Sequence, residues 1–338
     1  MAEERPGRAC PLAYRYEPGV LRSAPPVVEA DTLYVAGGLY GNPYALETLL
    51  DLVAREPGAR LVFNGDFNWF DIDADDFRRV NEAVLSHVAT RGNVETELAM
   101  PALGAGCGCG YPDWVADADV ARSNRIQERL RETAIAQPVL TARLGALPMH
   151  VAARVGDARV GIVHGDAHSL SGWGYSQEAL ATQEGLAAAC DDFAAAGVRV
   201  IASSHTCLPV IQRLEAASQD VALANNGSAG MPNFHGTRHG LVTRISVHAP
   251  ANASYGIRVG PLHVHAVPVE YDWAAWERRF LEQWPAGSDA HQSYFKRITA
   301  GPAYRQGDAL RSASRPLAAH ALQDSASRTG QVRWGSEQ

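Results

Sequence analysis

Short apolar runs alternate with helical patterns along the chain from residue 31 onward. The run from Thr32 to Ala36 predicts a buried strand, and Asn42 with Pro43 predicts the N-cap and first turn of a helix. Pro57 and Gly58 end that helix. The apolar positions that share one of its faces are Leu46, Leu49, Leu50 and Val53. This stretch therefore predicts a strand, a loop and a helix.

The same order of elements recurs through the rest of the chain. Leu61 to Phe63 predicts a second strand, and Asp73 can cap the helix that follows it. Gly156 and Asp157 predict the turn of a hairpin between two apolar runs. Further strands are predicted at 151–155, 159–163, 198–202, 221–224, 241–247 and 255–267, and further helices at 119–136 and 183–196. Strands that alternate with helices indicate an α/β fold whose sheets are covered by helices.

The pattern divides the chain into four segments. Residues 1–30 contain five prolines and no helical or strand period, which predicts an irregular lead-in, and residues 31–268 carry the alternating pattern. Residues 269–311 predict an aromatic helical extension packed on the core, because four rings recur there at helical spacing. These rings are Trp273, Trp276, Phe280 and Trp284. Residues 312–338 are rich in Ser, Arg and Gln, which predicts a disordered tail.

Composition and charge exclude several classes of protein. The 338 residues are 46% hydrophobic and 20% charged, with a net charge of −7, so no basic field is present to bind a nucleic acid or an anionic membrane. No apolar run approaches the roughly 20 residues that a membrane helix needs. The first residues lack the order of a secretory signal, and five cysteines follow no framework spacing. We therefore expect a cytoplasmic protein without structural disulfides.

Polar side chains gather in four loops that follow predicted strands. Such loops meet at the carboxyl edge of a parallel sheet, where α/β proteins place their sites. The loops are Asn64-Gly65-Asp66, Gly92-Asn93-Val94-Glu95, His164-Gly165-Asp166 and Ser204-His205-Thr206. One carboxylate, one amide oxygen and two imidazoles suit Mn, Fe or Zn. The sequence therefore predicts a metal site at this edge.

These loops and their order resemble the calcineurin-like metallophosphoesterases. The corresponding stretches read GGLYGNPYAL, NGDFNWFD, RGNVE, VHGD, SSHTCLP and NNGSAGMP, and they extend over about Asp31 to His265. The resemblance implies an αββα sandwich of two mixed β-sheets flanked by helices, here with a C-terminal helical extension. It also implies hydrolysis of phosphate esters by metal-activated water.

The resemblance further implies which residues hold metal. One of the family's two metal sites corresponds to Gly38, Tyr40, Asp66 and Cys207, so only Asp66 keeps its ligand type. The other site corresponds to Asp66, Asn93, His164 and His205, and all four ligand types are present. We therefore expect one divalent transition metal, Mn, Fe or Zn, per chain at the second site.

Several residues are candidates for catalysis and substrate binding. Asp66, Asn93 and His205 are predicted to be catalytic as well as ligating. Val94 replaces the family histidine that resembles a proton donor, so another group must protonate the leaving oxygen. The candidates are His168, the preferred one, and His235 and His239, although taken singly each is better explained as an ordinary loop histidine.

The predicted substrate-binding residues are Asn42, Tyr40 and Arg238. Tyr40 either orients the substrate or fills the space of a lost ligand. Arg238 either binds phosphate through two parallel hydrogen bonds from its guanidinium or forms a surface salt bridge. Trp69 and Trp173 either stack on a base or sugar or anchor their loops. Cys107 and Cys109, in a glycine-rich loop, are either incidental thiols or, with Cys207, a sulfur replacement for the first site.

The sequence thus favours a phosphoesterase that hydrolyses an ester or anhydride of a small phosphorylated substrate, with a nucleotide-like compound among the candidates. Loss of the two ligands of the first motif, at Gly38 and Tyr40, and of the proton donor leaves an alternative open. In that alternative the chain is an inactive relative that binds a nucleotide or a protein partner. A third interpretation is an enzyme whose altered site performs different chemistry involving Cys207.

Overall fold

Two β-sheets pack face to face between outer layers of helices in this computed structural model, which describes residues 5–100 and 104–311. The strands are β1 (Pro26–Ala30), β2 (Thr32–Ala36), β3 (Arg60–Asn64), β4 (Val88–Thr90), β5 (His150–Val155), β6 (Ala158–Val163), β7 (Val200–Ser203), β8 (Val210–Ala216), β9 (Gln219–Asn225), β10 (Gly240–Ser246), β11 (Tyr255–Val259), β12 (Leu262–Val269) and β13 (Leu310–Arg311). The α-helices are α1 (Val20–Ser23), α2 (Pro43–Ala54), α3 (Ala74–Val84), α4 (Asn93–Ala99), α5 (Asp117–Ile135), α6 (Pro138–Gly145), α7 (Gln183–Ala196), α8 (Trp273–Gln283), α9 (Asp289–Ala300) and α10 (Gln306–Ala309).

Both sheets mix parallel and antiparallel pairs. The six-stranded sheet has the order β11-β12-β10-β2-β3-β4, in which β2, β3 and β4 are parallel. The seven-stranded sheet has the order β1-β5-β6-β7-β9-β8-β13, in which β6, β7 and β9 are parallel. Two parallel groups of strands therefore lie in separate sheets, and each ends in polar loops. Among the described residues, no helix has the length and apolarity needed to cross a membrane.

The alternation of side chains along each strand builds a separate core on either side of it. Leu33 and Val35 of β2 pack between the sheets, against residues such as Ile162. Tyr34 of β2 and Phe63 of β3 point the other way, into a core shared with the helices on that face. The six-stranded sheet is thus buried on both faces, which explains why its central strands are continuous apolar runs.

The start of the chain departs from the sequence prediction. Residues 1–30 were expected to be irregular, but Val20–Ser23 is a short helix and Pro26–Ala30 is strand β1, which pairs in parallel with β5. The prolines conceal this strand because an edge strand tolerates proline at its first residue. The predicted tail at 312–338 lies outside the described residues.

The region after residue 254 shows two further differences. The expected strand at 255–267 is the hairpin β11–β12, which turns at Gly260, a glycine with φ +54°. Trp276, Phe280 and Trp284 are buried, but Trp273 is 43% exposed, so only three of the four rings face the core. Phe70 is at the centre of that packing, with ring contacts to Trp276, Phe280 and Tyr294.

Candidate metal centre

Four polar side chains meet where parallel strands of the two sheets end. Asp66 follows β3 and Asn93 follows β4 in the six-stranded sheet, whereas His164 follows β6 and His205 follows β7 in the seven-stranded sheet. All four residues are at most 5% exposed. The metal-binding atoms of Asp66, His164 and His205 lie within 4.8 Å of one another. The site is therefore assembled from both sheets.

His164 directs a lone pair into the middle of this group. Its Nδ1 lies 2.9 Å from the carbonyl oxygen of Asn64, and because a carbonyl can only accept, Nδ1 carries the proton. Nε2 is then unprotonated in the neutral ring. It lies 3.3 Å from Asp66 Oδ2 and 3.2 Å from Asn93 Oδ1. When Nε2 is unprotonated, three acceptor atoms face one another.

His205 and Asn93 are oriented by the same loop. His205 Nε2 donates to the carbonyl of Cys109 at 2.9 Å, which leaves Nδ1 as a lone pair 3.3 Å from His164 Nε2. The Asn93 amide nitrogen donates to the carbonyl of Cys107 at 2.9 Å, which directs Oδ1 toward His164. Four ligand atoms therefore converge, and they repel one another unless a proton or a metal cation lies among them. The donor set therefore fits a divalent transition metal with nitrogen and oxygen ligands.

Burial lowers the pKa of His164, but the Asp66 carboxylate outweighs it and the pKa lies above its ordinary value, so a metal bound here would displace a proton from this ring. Burial and the adjacent His164 lower the pKa of His205 to about 4, so this ring is neutral near pH 7. Burial raises the pKa of the Asp66 carboxyl, but the His164 ring outweighs it, and the pKa lies below its ordinary value. Asp66 is therefore a carboxylate.

Glu95 holds the loop that carries Asp66. Its Oε2 accepts from the backbone N–H groups of Asp66 at 2.8 Å and Gly92 at 2.9 Å, and its Oε1 accepts from Phe67 at 3.1 Å and Asn68 at 3.2 Å. A Cβ at position 92 would overlap Asp66 Oδ1, so only glycine fits there. No role for Glu95 is predicted from the sequence, and its one signal there is an acidic side chain two residues after the ligand Asn93.

A neutral pair of side chains occupies the other side of Asp66. The Tyr40 hydroxyl lies 2.7 Å from Cys207 Sγ. Burial raises the pKa of both groups, so both stay protonated near neutral pH. Tyr40, Asp66 and Cys207 have φ values of +56°, +50° and +61°, in the left-handed region that non-glycine residues rarely adopt. Such strain concentrates at functional sites.

An aromatic cavity opens beside the ligands. It has a volume of about 40 Å³. The residues that line it are Tyr40, Asp66, Trp69, Asn93, Val94, Cys109, Tyr111, Trp173, His205, Cys207 and Tyr294. Tyr294 belongs to α9 and Tyr111 follows the glycine-rich loop, and neither was predicted from the sequence. Both Trp69 and Trp173 face the cavity, so a stacking role is open to them.

Comparison with solved structures relates this architecture to known proteins. A metallophosphoesterase from Sphaerobacter thermophilus superposes with a TM-score of 0.53 at 18% identity, over 80% of this chain and 99% of that one. The chain has the metallophosphoesterase fold. A hypothetical protein from Pyrococcus horikoshii OT3 gives a TM-score of 0.53 at 14% identity, over 81% of this chain and 99% of that one. No protein-family model and no curated protein sequence matches the chain.

The metallophosphoesterase fold confirms the predicted pair of mixed sheets flanked by helices. At identities below 20% the likeness concerns the fold, so the site must be argued from its own geometry.

Three predicted site residues lie away from the cavity. Asn42 is buried and caps α2, because its Oδ1 accepts from the backbone of Tyr44 and Ala45, each at 3.1 Å. His168 Nε2 pairs with Asp192 at 2.7 Å on a ring that is 58% exposed. Arg238 stacks over Trp273, with its guanidinium carbon 3.7 Å from the ring centre. Each of these side chains has a partner that accounts for its position. The alternative proton donors His235 and His239 do not line the cavity either.

The cysteine-containing loop orients the ligands mainly through its carbonyls, and Cys109 Sγ adds a weak hydrogen bond from the Asn93 amide at 3.6 Å. The carbonyls of Cys107 and Cys109 orient Asn93 and His205, and among the described residues no cysteine belongs to the metal-binding group. Gly108 has φ +66°, and a Cβ there would lie 2.5 Å from Tyr14 Oη. This glycine therefore allows the loop to pass close beneath the ligands.

Proposed function

We propose that the chain is a metal-dependent phosphoesterase that hydrolyses a phosphate ester or anhydride of a small molecule. The observation that carries this proposal is the convergence of four ligand atoms, from Asp66, Asn93, His164 and His205, at the edge of a cavity. The metallophosphoesterase fold supports it by placing these groups at the carboxyl ends of the strands.

We propose that one metal is bound. Asp66, Asn93, His164 and His205 would hold it, with Mn, Fe or Zn as the candidates. The Tyr40–Cys207 pair supports a single site, because two protonated neutral groups stand where further ligands would be needed. When bound, the metal would supply Lewis acidity toward a phosphoryl oxygen and activate water for attack.

The protein's own residues would orient and shield the reaction. Asp66 would offset part of the metal's charge, and the Cys109 carbonyl would keep His205 fixed in its neutral tautomer. The Tyr40 hydroxyl lies at the cavity wall, where it could contact a phosphoryl oxygen. The aromatic walls would exclude water, which strengthens electrostatic interactions in the cavity.

Metal content and turnover test this proposal together. Protein purified without chelator should contain about one metal per chain by elemental analysis, and Asp66→Ala and His164→Ala should each lose it. A panel of phosphomonoesters, diesters and dinucleotides with Mn, Fe, Ni and Zn should reveal turnover that both variants abolish. Arg238→Ala is the control, since Arg238 lies outside the cavity, and it should retain metal and activity. Absence of metal from the unaltered protein would refute the proposal.

A binding function without turnover is the second candidate. It is supported by Val94, which lines the cavity and cannot donate a proton to a leaving group. Thermal stabilisation by a nucleotide or another phosphate ester, with no turnover by metal-loaded protein, would favour this candidate. A cytoplasmic location stays a prediction from the sequence.

A further inference from the structure

A second cavity lies at the opposite edge of the seven-stranded sheet from the metal centre. It has a volume of about 590 Å³, within the range of small-molecule sites. Its lining comes from the start of β6, the residues before β7, the β8–β9 turn, α1 and the end of α7. The ligand His164 follows the other end of β6, about 16 Å away along the strand. The two cavities are therefore separate.

Positive charge dominates this second cavity. Its charged lining residues, within the described part of the chain, are the three arginines Arg22, Arg159 and Arg199 and one acid, Asp157. The lining thus has a net formal charge of +2, although the whole chain has a net charge of −7. A concave surface lined by one sign of charge concentrates ligands of the opposite sign. The cavity therefore favours anions.

Backbone carbonyls hold the three arginines in place. The carbonyls that accept from their guanidinium groups are those of Ala194 and Ala195 for Arg22, Leu21 and Ala24 for Arg159, and Asp220 for Arg199. A carbonyl has no net charge, so these hydrogen bonds orient the cations without neutralising them. Among residues 5–100 and 104–311, none of the three arginines forms an ion pair with a carboxylate.

Each guanidinium keeps donors that no described residue accepts. Arg22 and Arg159 both bond through Nε and Nη2, which leaves Nη1. Arg199 bonds through Nη1, which leaves Nε and Nη2. An anion with several oxygens can accept from such groups at once, through charge-assisted hydrogen bonds. The cavity therefore offers oriented donors as well as charge.

Two of the arginines lie side by side where β6 and β7 begin. The backbone N–H of Arg199 donates to the carbonyl of Arg159 at 2.8 Å. Like charges at neighbouring positions of a sheet destabilise it. Both residues are half-buried, so water and salt screen their repulsion less than at an open surface. A bound anion would offset this repulsion.

Backbone strain occurs at the rim of the same cavity. Ala217 and Ser218 form the two-residue β8–β9 turn, with φ values of +48° and +60°. Asparagine and glycine are usual in such a turn because both positions need a positive φ. Five described non-glycine residues have φ in this region, and the other three belong to the metal centre. Strain of this kind is typical of functional sites.

We propose that this cavity binds the phosphate dianion of a small organic molecule through Arg22, Arg159 and Arg199. A phosphate monoester has three terminal oxygens and about two negative charges above its second pKa of about 6. That charge matches the net charge of +2 on the lining. A phosphate group alone fills only part of about 590 Å³, which leaves room for an organic body. The site needs no metal, so this inference does not depend on the proposed phosphoesterase activity.

Four probes separate charge from size: glucose 6-phosphate, glucose 6-sulfate, glycerol 1-phosphate and inorganic phosphate. The two glucose esters are similar in size but differ by one negative charge at pH 8. Isothermal titration calorimetry at that pH, on the unaltered chain and on His164→Ala, should show glucose 6-phosphate bound about tenfold or more tightly than the sulfate. Equal binding of these two esters would overturn the inference. Inorganic phosphate bound more tightly than both phosphate esters would overturn the organic body.

Arginine variants show whether the phosphate binds in this cavity. Arg199→Met and Arg159→Met keep an unbranched apolar side chain but remove the charge, and each should weaken glucose 6-phosphate binding about tenfold or more. Arg213→Met is the matched control, because Arg213 lies on the adjacent strand β8, pairs with Asp220 and is not part of the lining. This control should bind as the unaltered chain does. Unchanged binding by both cavity variants would refute the site.

The metal-ligand variant separates this inference from the proposed function. Phosphate binding that His164→Ala abolishes and Arg199→Met leaves unchanged would assign the phosphate to the metal centre and overturn the inference. Protein without metal that still binds glucose 6-phosphate through its arginines would refute the proposed function and support this one.

Discussion

Replacing Glu95 with glutamine tests how the loop under the metal ligands is held. Glu95 Oε2 accepts two backbone N–H groups, and Oε1 accepts two more together with the Asn68 side-chain amide at 3.2 Å. Glutamine has one oxygen and one NH2 group. Whichever way its amide is turned, at least two buried backbone N–H groups face another donor and lose their acceptor.

The expected cost follows from that count. A buried donor left without an acceptor costs about 1–3 kcal/mol, so Glu95→Gln should lower the free energy of unfolding by about 2–6 kcal/mol. The loop carries Asp66, whose ligand oxygen would shift with it. Metal affinity should therefore fall together with stability.

Glu97 provides the matched control. It is a buried glutamate on the same helix α4, and its Oε1 accepts one hydrogen bond, from the Tyr14 hydroxyl at 2.5 Å. Glutamine at this position keeps an oxygen for that hydroxyl, so Glu97→Gln should cost less than about 1.5 kcal/mol and leave metal content unchanged. Urea unfolding and elemental analysis measure both effects. Equal stability and equal metal content in the two variants would refute the role assigned to Glu95.

Three other predictions concern the same region. Val94→His should raise turnover of alkyl phosphodiesters about tenfold or more by supplying a proton donor, with a smaller gain for aryl esters, whose leaving oxygen needs less protonation, and an equal gain for both would refute proton donation from this position. The double variant Cys107→Ser with Cys109→Ser should keep its metal content by elemental analysis, because the loop contributes carbonyls, and loss of metal would contradict that assignment. Burial raises the pKa of Asp71 from 3.8 to about 7. Between pH 3.8 and about 7 the folded state therefore binds more protons than the unfolded state. The free energy of unfolding falls as pH rises through this range. The stability of Asp71→Asn relative to the unaltered chain should thus rise with pH across that range, by on the order of 4 kcal/mol in urea unfolding, and no trend would refute a buried neutral carboxyl.

The fold and the polar strand ends could be predicted because their signals are local. Asp66, His164 and His205 each follow an apolar run, and the rule that parallel strands end at one edge brings them together. The same reasoning also placed Asn42 and His168 among the candidate site residues. Both lie in loops near strand ends, but Asn42 accepts a hydrogen bond from the backbone of Tyr44 and His168 pairs with Asp192.

Other parts of the site depend on groups that residue types do not reveal. The carbonyls of Cys107 and Cys109 are backbone acceptors, and every residue has one. Tyr294 reaches the cavity from a helix 87 positions after Cys207, the nearest lining residue in sequence. Only the packing of α9 against the core determines that approach. The aromatic character of the cavity therefore emerges from tertiary structure.

The origin of the ligands in two separate sheets has a consequence for how the protein assembles. Asp66 and Asn93 belong to the first third of the chain, whereas His164 and His205 come from the middle. Neither sheet offers more than two ligands, so tight metal binding requires one sheet to dock on the other. A metal bound between the two sheets would stabilise the docked state by about 4 kcal/mol when the free metal concentration is a thousand times its dissociation constant. Metal binding would then be a late step in folding. Chains whose two sheets have not docked would remain metal-free and susceptible to proteolysis.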